Sequence, residues 1–501
     1  MSLARNAAAN YVGQFYVAGI SIVVVPLYIK YLGIEAYGLV GVFSMIQAWF
    51  QMLDLGMSPT LGREIARFRG GAMSGLAVRE LLRAMESIFC AVAVVAGASI
   101  VVSANVVASH WLKVEHIPVE VVAAAVRLIG LTVAVRWVSG MYRSAITGFE
   151  AQVWLNGFNM AIATTRAVVV VPFLAFGIIG IVGFFAFQFS VSAVECVALA
   201  WKTYARLPRE PRRTRLSLAP LHGVMRFSLS IAFAAVVWTT ITQVDRLILS
   251  KTLTLPEFGT FTLGVVVAGT VGLAAGPITQ ALLPRLALLS AERNEAGILE
   301  LYSRATQWVC TLSAPLALTL ALFARPALGA WTGNAASADN AAPIVSLYAL
   351  GNGALAIAAF PYYLQFARGD IRLHLAGNVG FLVILVPLVA WASTAYGALG
   401  AGVVWVAHST LFALMWTWFV HRRLAPGLHV DWFLRRVLPS WATVGCIGLF
   451  VRWSLPPLSG GRVITALALA AIGIALLLAS LLTHPEFRAR LRVLAARNET
   501  N

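Results

Sequence analysis

Four arginines stand inside long apolar runs of this chain: Arg127 and Arg136 in one run, Arg166 in the next and Arg246 in a later one. A guanidinium stays charged, and its planar fork of donors fits a phosphate or carboxylate bidentately. At such depth a charge must face a wet interior or a partner, because exposure to hydrocarbon is costly. Arg136 and Arg166 are the deepest and are the favoured anion-binding pair. Arg127 and Arg246, like Arg143, lie nearer the ends of their runs, where structural pairing or snorkelling competes with a binding role. At about 100° per residue, Arg136 and Arg143 share a helix face while Arg127 points nearly opposite, so the three do not line one narrow stripe. Asp54, Asp245 and Glu195 are the carboxylates that a low-dielectric cavity would turn into proton-exchanging or sodium-binding groups. Against that role, Asp245 adjoins Arg246, Glu86 and Glu195 fall toward the ends of their runs, and Asp54 is open to local pairing. His408, alone in mid-run, reads as a core group more readily than as a proton relay. No Walker-type GxxxxGK[ST], no GxGxxG after a strand and no metal-ligand spacing is present, so no metal or nucleotide cofactor is expected. Cys90, Cys196, Cys310 and Cys446 read as small apolar core residues without disulfide partners.

The elements that must carry these residues are membrane helices. The chain of 501 residues is 60% hydrophobic and only 11% charged, against about 25% charged in soluble domains. Runs of about 20 apolar residues recur along its length, the signature of transmembrane helices. The first run lacks the short apolar stretch and small-residue cleavage site of a removable leader, so it is expected to stay. The net charge of +17 is a topology signal and not a sign of nucleic-acid binding. About 27 of the 37 Lys and Arg residues fall in loops and helix ends on the side that holds the N-terminus, the bias of a cytoplasmic face. Both termini are therefore expected in the cytoplasm and the number of spans even. Hydropathy gives fourteen, the second at 38–62, with twelve as the alternative count. The NET triplet at Asn498–Thr500 has no meaning as a glycosylation sequon on that side.

The runs repeat. IEAYG at Ile34–Gly38 and LPEFG at Leu255–Gly259 stand 221 positions apart, each before a long apolar run that ends in a basic turn, at Arg63 and Arg285. Nearly the same offset relates Asn156 to Asn378 and Lys202 to Arg423. The expected organisation is a first six-helix lobe at 1–201, a basic cytoplasmic linker at 202–221, a second lobe at 222–422, and two additional spans with a cytoplasmic tail at 423–501. An even number of spans per copy makes the pseudo-twofold axis run along the membrane normal, with a transport path between the copies. The linker, with Arg206, Arg209, Arg212, Arg213 and Arg215, would lie against anionic membrane lipid. Arg488, Arg490 and Arg492 continue the bias in the tail.

These residues also carry a family resemblance. The stretch from Asn10 to Arg67 resembles the N-terminal region of Wzx-type polysaccharide-lipid flippases of the multidrug/oligosaccharidyl-lipid/polysaccharide (MOP) exporter superfamily. The points of likeness are Pro26, Leu32-Gly33, Tyr37-Gly38, Asp54-Leu55-Gly56 and Arg63-Glu64. TGFEAQVWLN at Thr147–Asn156 resembles the family's polar turn before the fifth helix, and DRLILSKTLTLPEFGTFTLG at Asp245–Gly264 resembles its seventh-to-eighth-helix signature. The resemblance implies an all-α polytopic fold like that of the MATE transporters. It implies a flippase, not an enzyme, for an undecaprenyl-pyrophosphate-linked oligosaccharide at the bacterial inner membrane, with H+ or Na+ as the coupling ion. Glycan polymerase or assembly proteins are the implied partners, and the last two helices can flank a groove for the lipid tail.

Alternatives of the same fold are a peptidoglycan-precursor lipid flippase and a small-molecule antiporter. An antiporter for cationic drugs would need an acidic cavity, whereas the candidate lining here is basic. A membrane glycan polymerase or ligase would need larger outer loops than the short ones at 107–120 and 326–342, and a non-transporting scaffold is the remaining reading.

Overall fold

In hydrocarbon, backbone N–H and C=O groups have no water to bond, so a chain of this composition crosses a bilayer only as helices or as a closed barrel. It uses helices. The computed structural model describes residues 3–208, 219–370, 372–456 and 460–489. Among these residues the only β pairing is one isolated bridge, between Lys113 and Thr254. The linker residues Arg209, Arg212, Arg213 and Arg215, the tail residues Arg490 and Arg492, and the triplet Asn498–Thr500 lie outside the described residues.

The chain divides into two compact units, residues 1–259 and 260–501. The first holds α1 (Leu3–Leu32), α2 (Ile34–Asp54), α3 (Met57–Arg69), and α4 (Gly75–Trp111), α5 (Val119–Gly148), α6 (Gln152–Ala175) and α7 (Ile181–Tyr204). Then come α8 (Ala219–Thr252) and the first turn of α9 (Leu255–Ala291). The second unit holds the rest of α9, then α10 (Glu295–Leu322), α11 (Ala324–Thr332), α12 (Ala335–Ala367), α13 (Arg372–Leu424), α14 (Leu428–Ser454) and α15 (Arg462–Thr483).

Twelve helices among the described residues are long and apolar enough to cross a membrane. One of them, α13, has 53 residues, a rise of about 80 Å, more than twice a hydrocarbon core of about 30 Å. Its backbone breaks at Gly397, whose φ of 58° and ψ of −140° are open to glycine and hostile to other residues, so α13 contains two crossings. Helix α8, with 34 residues, is long enough for another. The described helices thus number twelve by length and apolarity, the alternative count from hydropathy, and the break within α13 allows one crossing more.

The second span ends earlier than the hydropathy suggests. Leu55 and Gly56 take left-handed conformations, φ 47° and 74°, and turn the chain out of α2 at Asp54. The following α3 is amphipathic. Met57, Thr60, Leu61, Glu64 and Ile65 are buried along one face while Arg63, Arg67 and Arg69 stand out, the pattern of a helix lying in the interface plane.

In the first unit α5 is the central element, packed by α2, α3, α4 and α7. In the second unit α10 is flanked by α12, α14 and α15, and the core gathers Tyr302, Phe360, Cys310 and Trp432. Apolar side chains that face outward, such as Val94 and Val102 on α4 and Leu467 and Ile474 on α15, are positioned for lipid. Of the cysteines only Cys310 is a core residue; Cys90 and Cys446 are exposed, because their helices turn those faces outward. His408 packs among rings, edge-on to Phe381 and stacked between Trp405 and Phe412.

Candidate anion-binding site

Arg166 sits in a π-helical turn, Thr165–Val169, set within α6. Such turns are rare and frequently mark functional positions. The backbone there is held from two sides: Tyr28 of α1 donates its hydroxyl to the Ala167 carbonyl at 3.1 Å, and Gln188 of α7 donates to the Arg166 carbonyl at 3.2 Å. Further along, α1 and α6 are joined by side-chain amides. Asn10 donates to Gln152 at 3.0 Å, Asn156 donates to Asn10 at 2.5 Å, and the hydroxyls of Tyr16 and Thr164 meet at 2.7 Å. Polar contacts of this kind fix neighbouring helices inside a membrane. They aim the Arg166 side chain at α7.

On α7 the carboxylate of Glu195 is buried, 2% exposed. One of its oxygens accepts from Nη2 of Arg166 at 2.6 Å and the other accepts from Nη2 of Arg143 on α5. The same Arg166 nitrogen reaches Ser192 Oγ at 3.1 Å, and Nη1 of Arg143 donates to Asn159 of α6. Nε of Arg166 is buried without a partner. Both oxygens of Glu195 are thus engaged by guanidiniums. No group of three or more His, Cys, Asp or Glu side chains placed to hold a metal occurs among the described residues.

Arg136 lies two turns from Arg143 on the same face of α5, its guanidinium over the ring of Phe43 at 5.3 Å. No described carboxylate lies within ion-pairing distance of it, and its charge acts repulsively on both Arg143 and Arg166. Three guanidiniums and one carboxylate leave a net charge of two positive. Desolvated like charges repel, and Glu195 offsets only part of that repulsion; an anion would offset the rest.

The structure distributes the sequence-selected residues unevenly. Arg136, Arg166 and Glu195 come together, and Arg143 joins them. Arg127 is elsewhere on α5, donating to Asn105 of α4 at 2.8 Å. Arg246 is near the first turn of α2, where its charge acts on Tyr37, and its backbone N–H donates to Asp245 Oδ1 at 2.7 Å. Asp245 is buried, 6% exposed. Asp54 accepts from the backbone N–H and the hydroxyl of Ser58, the latter at 2.5 Å, and so caps the start of α3. Glu86 accepts from the hydroxyls of Tyr142 at 2.8 Å and Tyr204 at 2.6 Å. Beyond the membrane-spanning part of the polar turn after α5, Arg69 bonds Glu150 at 2.8 Å and holds its carboxyl below the usual carboxylate range. The seven-residue spacing from Arg136 is the one pointer to Arg143 in sequence; nothing there marks Ser192 or Asn159 as members of the cluster.

The family described as "Polysaccharide biosynthesis protein" matches residues 3–290, more than half of the chain. Among solved structures, the lipid II flippase MurJ in an inward closed conformation superposes with a TM-score of 0.74 at 12% identity, over 95% of this chain and 97% of that one. An inward-facing multidrug resistance MATE family transporter of the MOP superfamily gives 0.62 at 15% identity, over 85% and 95%. A MOP superfamily transporter from Pyrococcus furiosus gives 0.52 at 13% identity, over 84% and 95%. No curated protein sequence matches at a significant level. The family match falls on the unit that holds the arginine cluster, and it agrees with the likeness carried by the Asn10–Arg67 stretch. The chain is a multi-pass membrane protein that belongs to the polysaccharide biosynthesis protein family, with the fold shared by MurJ and the MATE transporters of the MOP superfamily.

Proposed function

We propose that this protein is a flippase that moves an undecaprenyl-pyrophosphate-linked oligosaccharide from the cytoplasmic to the outer leaflet of the bacterial inner membrane. The observation that carries the reading is the cluster of Arg136, Arg143 and Arg166 around Glu195, with its net charge of two positive at membrane depth. Flipping needs a sheltered place for an anionic headgroup across about 30 Å of hydrocarbon. Guanidiniums are the side chains suited to phosphates, and a glycosylated pyrophosphate carries two negative charges, the complement of this cluster. The family match supports a polysaccharide-linked cargo, and the fold is that of the MurJ flippase and a MATE transporter. In this reading transport runs by alternating access coupled to an ion gradient, both termini are cytoplasmic, and glycan polymerase or assembly proteins receive the product. The peptidoglycan-precursor flippase reading shares the pyrophosphate, and the family favours the oligosaccharide.

The test is mass spectrometry of lipid-linked glycans after deletion of the gene, with an assay of the leaflet that holds them. A complete oligosaccharide on undecaprenyl pyrophosphate, trapped in the cytoplasmic leaflet, is expected. An intermediate that reaches the outer leaflet and stays unpolymerised would place the protein after transport and overturn the reading.

A further inference from the structure

The anion site already contains an anion. Glu195 presents two oxygens to Arg143 and Arg166 much as a phosphate would, and Ser192 adds a second acceptor to the same Arg166 nitrogen at 3.1 Å. The carboxylate is 2% exposed, whereas the Arg143 and Arg166 side chains are 32% and 17% exposed. The guanidiniums, not the carboxylate, are thus the groups an incoming ligand meets. Arg136 stands beside them over Phe43 with no carboxylate bound to it.

Resting on the flippase reading above, we propose that Glu195 is a resident counter-anion that sets specificity: it admits a diphosphate headgroup and refuses the single phosphodiester of an ordinary phospholipid. An anion reaches the inward donors of Arg143 and Arg166 only by competing with Glu195, and a displaced carboxylate is left buried without a partner, which is costly. A phosphodiester brings one charge, so the exchange replaces one monoanion by another and gains nothing. A diphosphate brings two adjacent phosphoryl groups. It engages Arg136 together with the outward donors of the partly exposed pair. The selection matters because phosphodiester lipids are the bulk of a membrane. Three bare arginines at this depth would be filled by them, whereas specificity needs an element that works against the wrong ligand as well as one that favours the right ligand.

The experiment is native mass spectrometry of the purified full-length protein, titrated with a polyprenyl diphosphate and with dioleoyl phosphatidylglycerol in competition. The wild type is expected to prefer the diphosphate. In Glu195→Gln the phosphatidylglycerol affinity should rise at least about tenfold, the scale of one charged contact, and the preference should fall by a similar factor. Glu195→Asp, which keeps the charge but is too short to bridge both arginines, should lose preference too, and it decides the matter if the Gln variant does not fold. Unchanged preference in a folded Gln or Asp variant would overturn the role of Glu195 and leave the flippase reading intact. A wild type that binds the diphosphate no better than phosphatidylglycerol would do the same. A wild type that binds neither lipid would overturn both.

Discussion

Arg136 and Arg166 differ in what surrounds them, and their variants should differ accordingly. Arg166 is tied to Glu195 at 2.6 Å and Ser192 at 3.1 Å, whereas Arg136 lies over the Phe43 ring with no ion pair to a described carboxylate. Truncating Arg136 removes a charge that the fold does not use for pairing, so Arg136→Ala should abolish export while protein abundance stays at the wild-type level, read by immunoblot and by accumulation of the lipid-linked glycan. Arg166→Ala should abolish export as well, but it strands the buried Glu195, a change that costs several kcal/mol when one partner of a buried pair is lost. A lower melting temperature is therefore expected for Arg166→Ala than for Arg136→Ala. Unimpaired export in both variants would remove the cluster from the transport mechanism. Asp54 makes a contrasting case. Its carboxylate caps α3 through Ser58, a task that asparagine performs equally well. Asp54→Asn is expected to transport normally, and Asp54→Ala to lose about 1 kcal/mol of stability, measured as a melting shift in detergent. Loss of transport in a stable Asp54→Asn protein would instead mark Asp54 as an ion-coupling carboxylate.

Among the elements, the two copies of the sequence repeat meet at their matching glycines. A Cβ on Gly38 would come within 2.5 Å of the Leu255 carbonyl oxygen, and one on Gly259 within 2.2 Å of the Ile34 carbonyl oxygen. Ile34 and Leu255, like Gly38 and Gly259, are repeat partners, so each copy offers its glycine to the other copy's first residue, the reciprocity of a twofold contact. The turn at Trp111–Ile117 braces the same place. Trp111 donates to Ser250 at 3.0 Å, the Lys113 carbonyl accepts from Leu255 N–H at 2.8 Å, and Glu35 accepts from the backbone N–H groups of Glu115 and His116 at 2.8 and 3.1 Å. A side chain at either glycine must push backbone aside, so Gly38→Val and Gly259→Val should each destabilise by about 1–3 kcal/mol, seen as earlier thermal aggregation. The double variant should cost less than the sum of the two, because both act on one contact.

For the molecule as a whole, the charge bias of the loops makes a statement about sidedness. If about 27 of the 37 basic residues mark the cytoplasmic face, reporter fusions at the two termini should both read cytoplasmic, and a cysteine placed at Asn334, in the short turn between α11 and α12, should be labelled by a membrane-impermeant reagent from outside. Opposite sides for the termini would require an odd number of crossings and contradict the even count expected from the charge bias. Collapse of the proton gradient in membrane vesicles should stop transport if an ion gradient drives it; unchanged transport would indicate facilitated flipping.

The sequence by itself determined the class of protein, an all-helical chain that crosses a membrane many times. That class is set by one-dimensional quantities: the length of apolar runs and the placement of charges between them. It also singled out Arg136 and Arg166, since a charge deep in an apolar run is conspicuous without any structure. Only the tertiary structure decided which charges share a site. Arg143, Arg166 and Glu195 come from three different helices, and their meeting depends on how α5, α6 and α7 are rotated about their axes, on the π-helical turn at Thr165–Val169 and on Tyr28 and Gln188 holding that turn. Helix rotation is fixed by packing against neighbours, and hydropathy says little of it when both lipid and core are apolar. For the same reason the partner of Asp54 is decided in the fold: Leu55 and Gly56 turn left-handed just beyond it, end the span there and bring Ser58 onto its carboxylate.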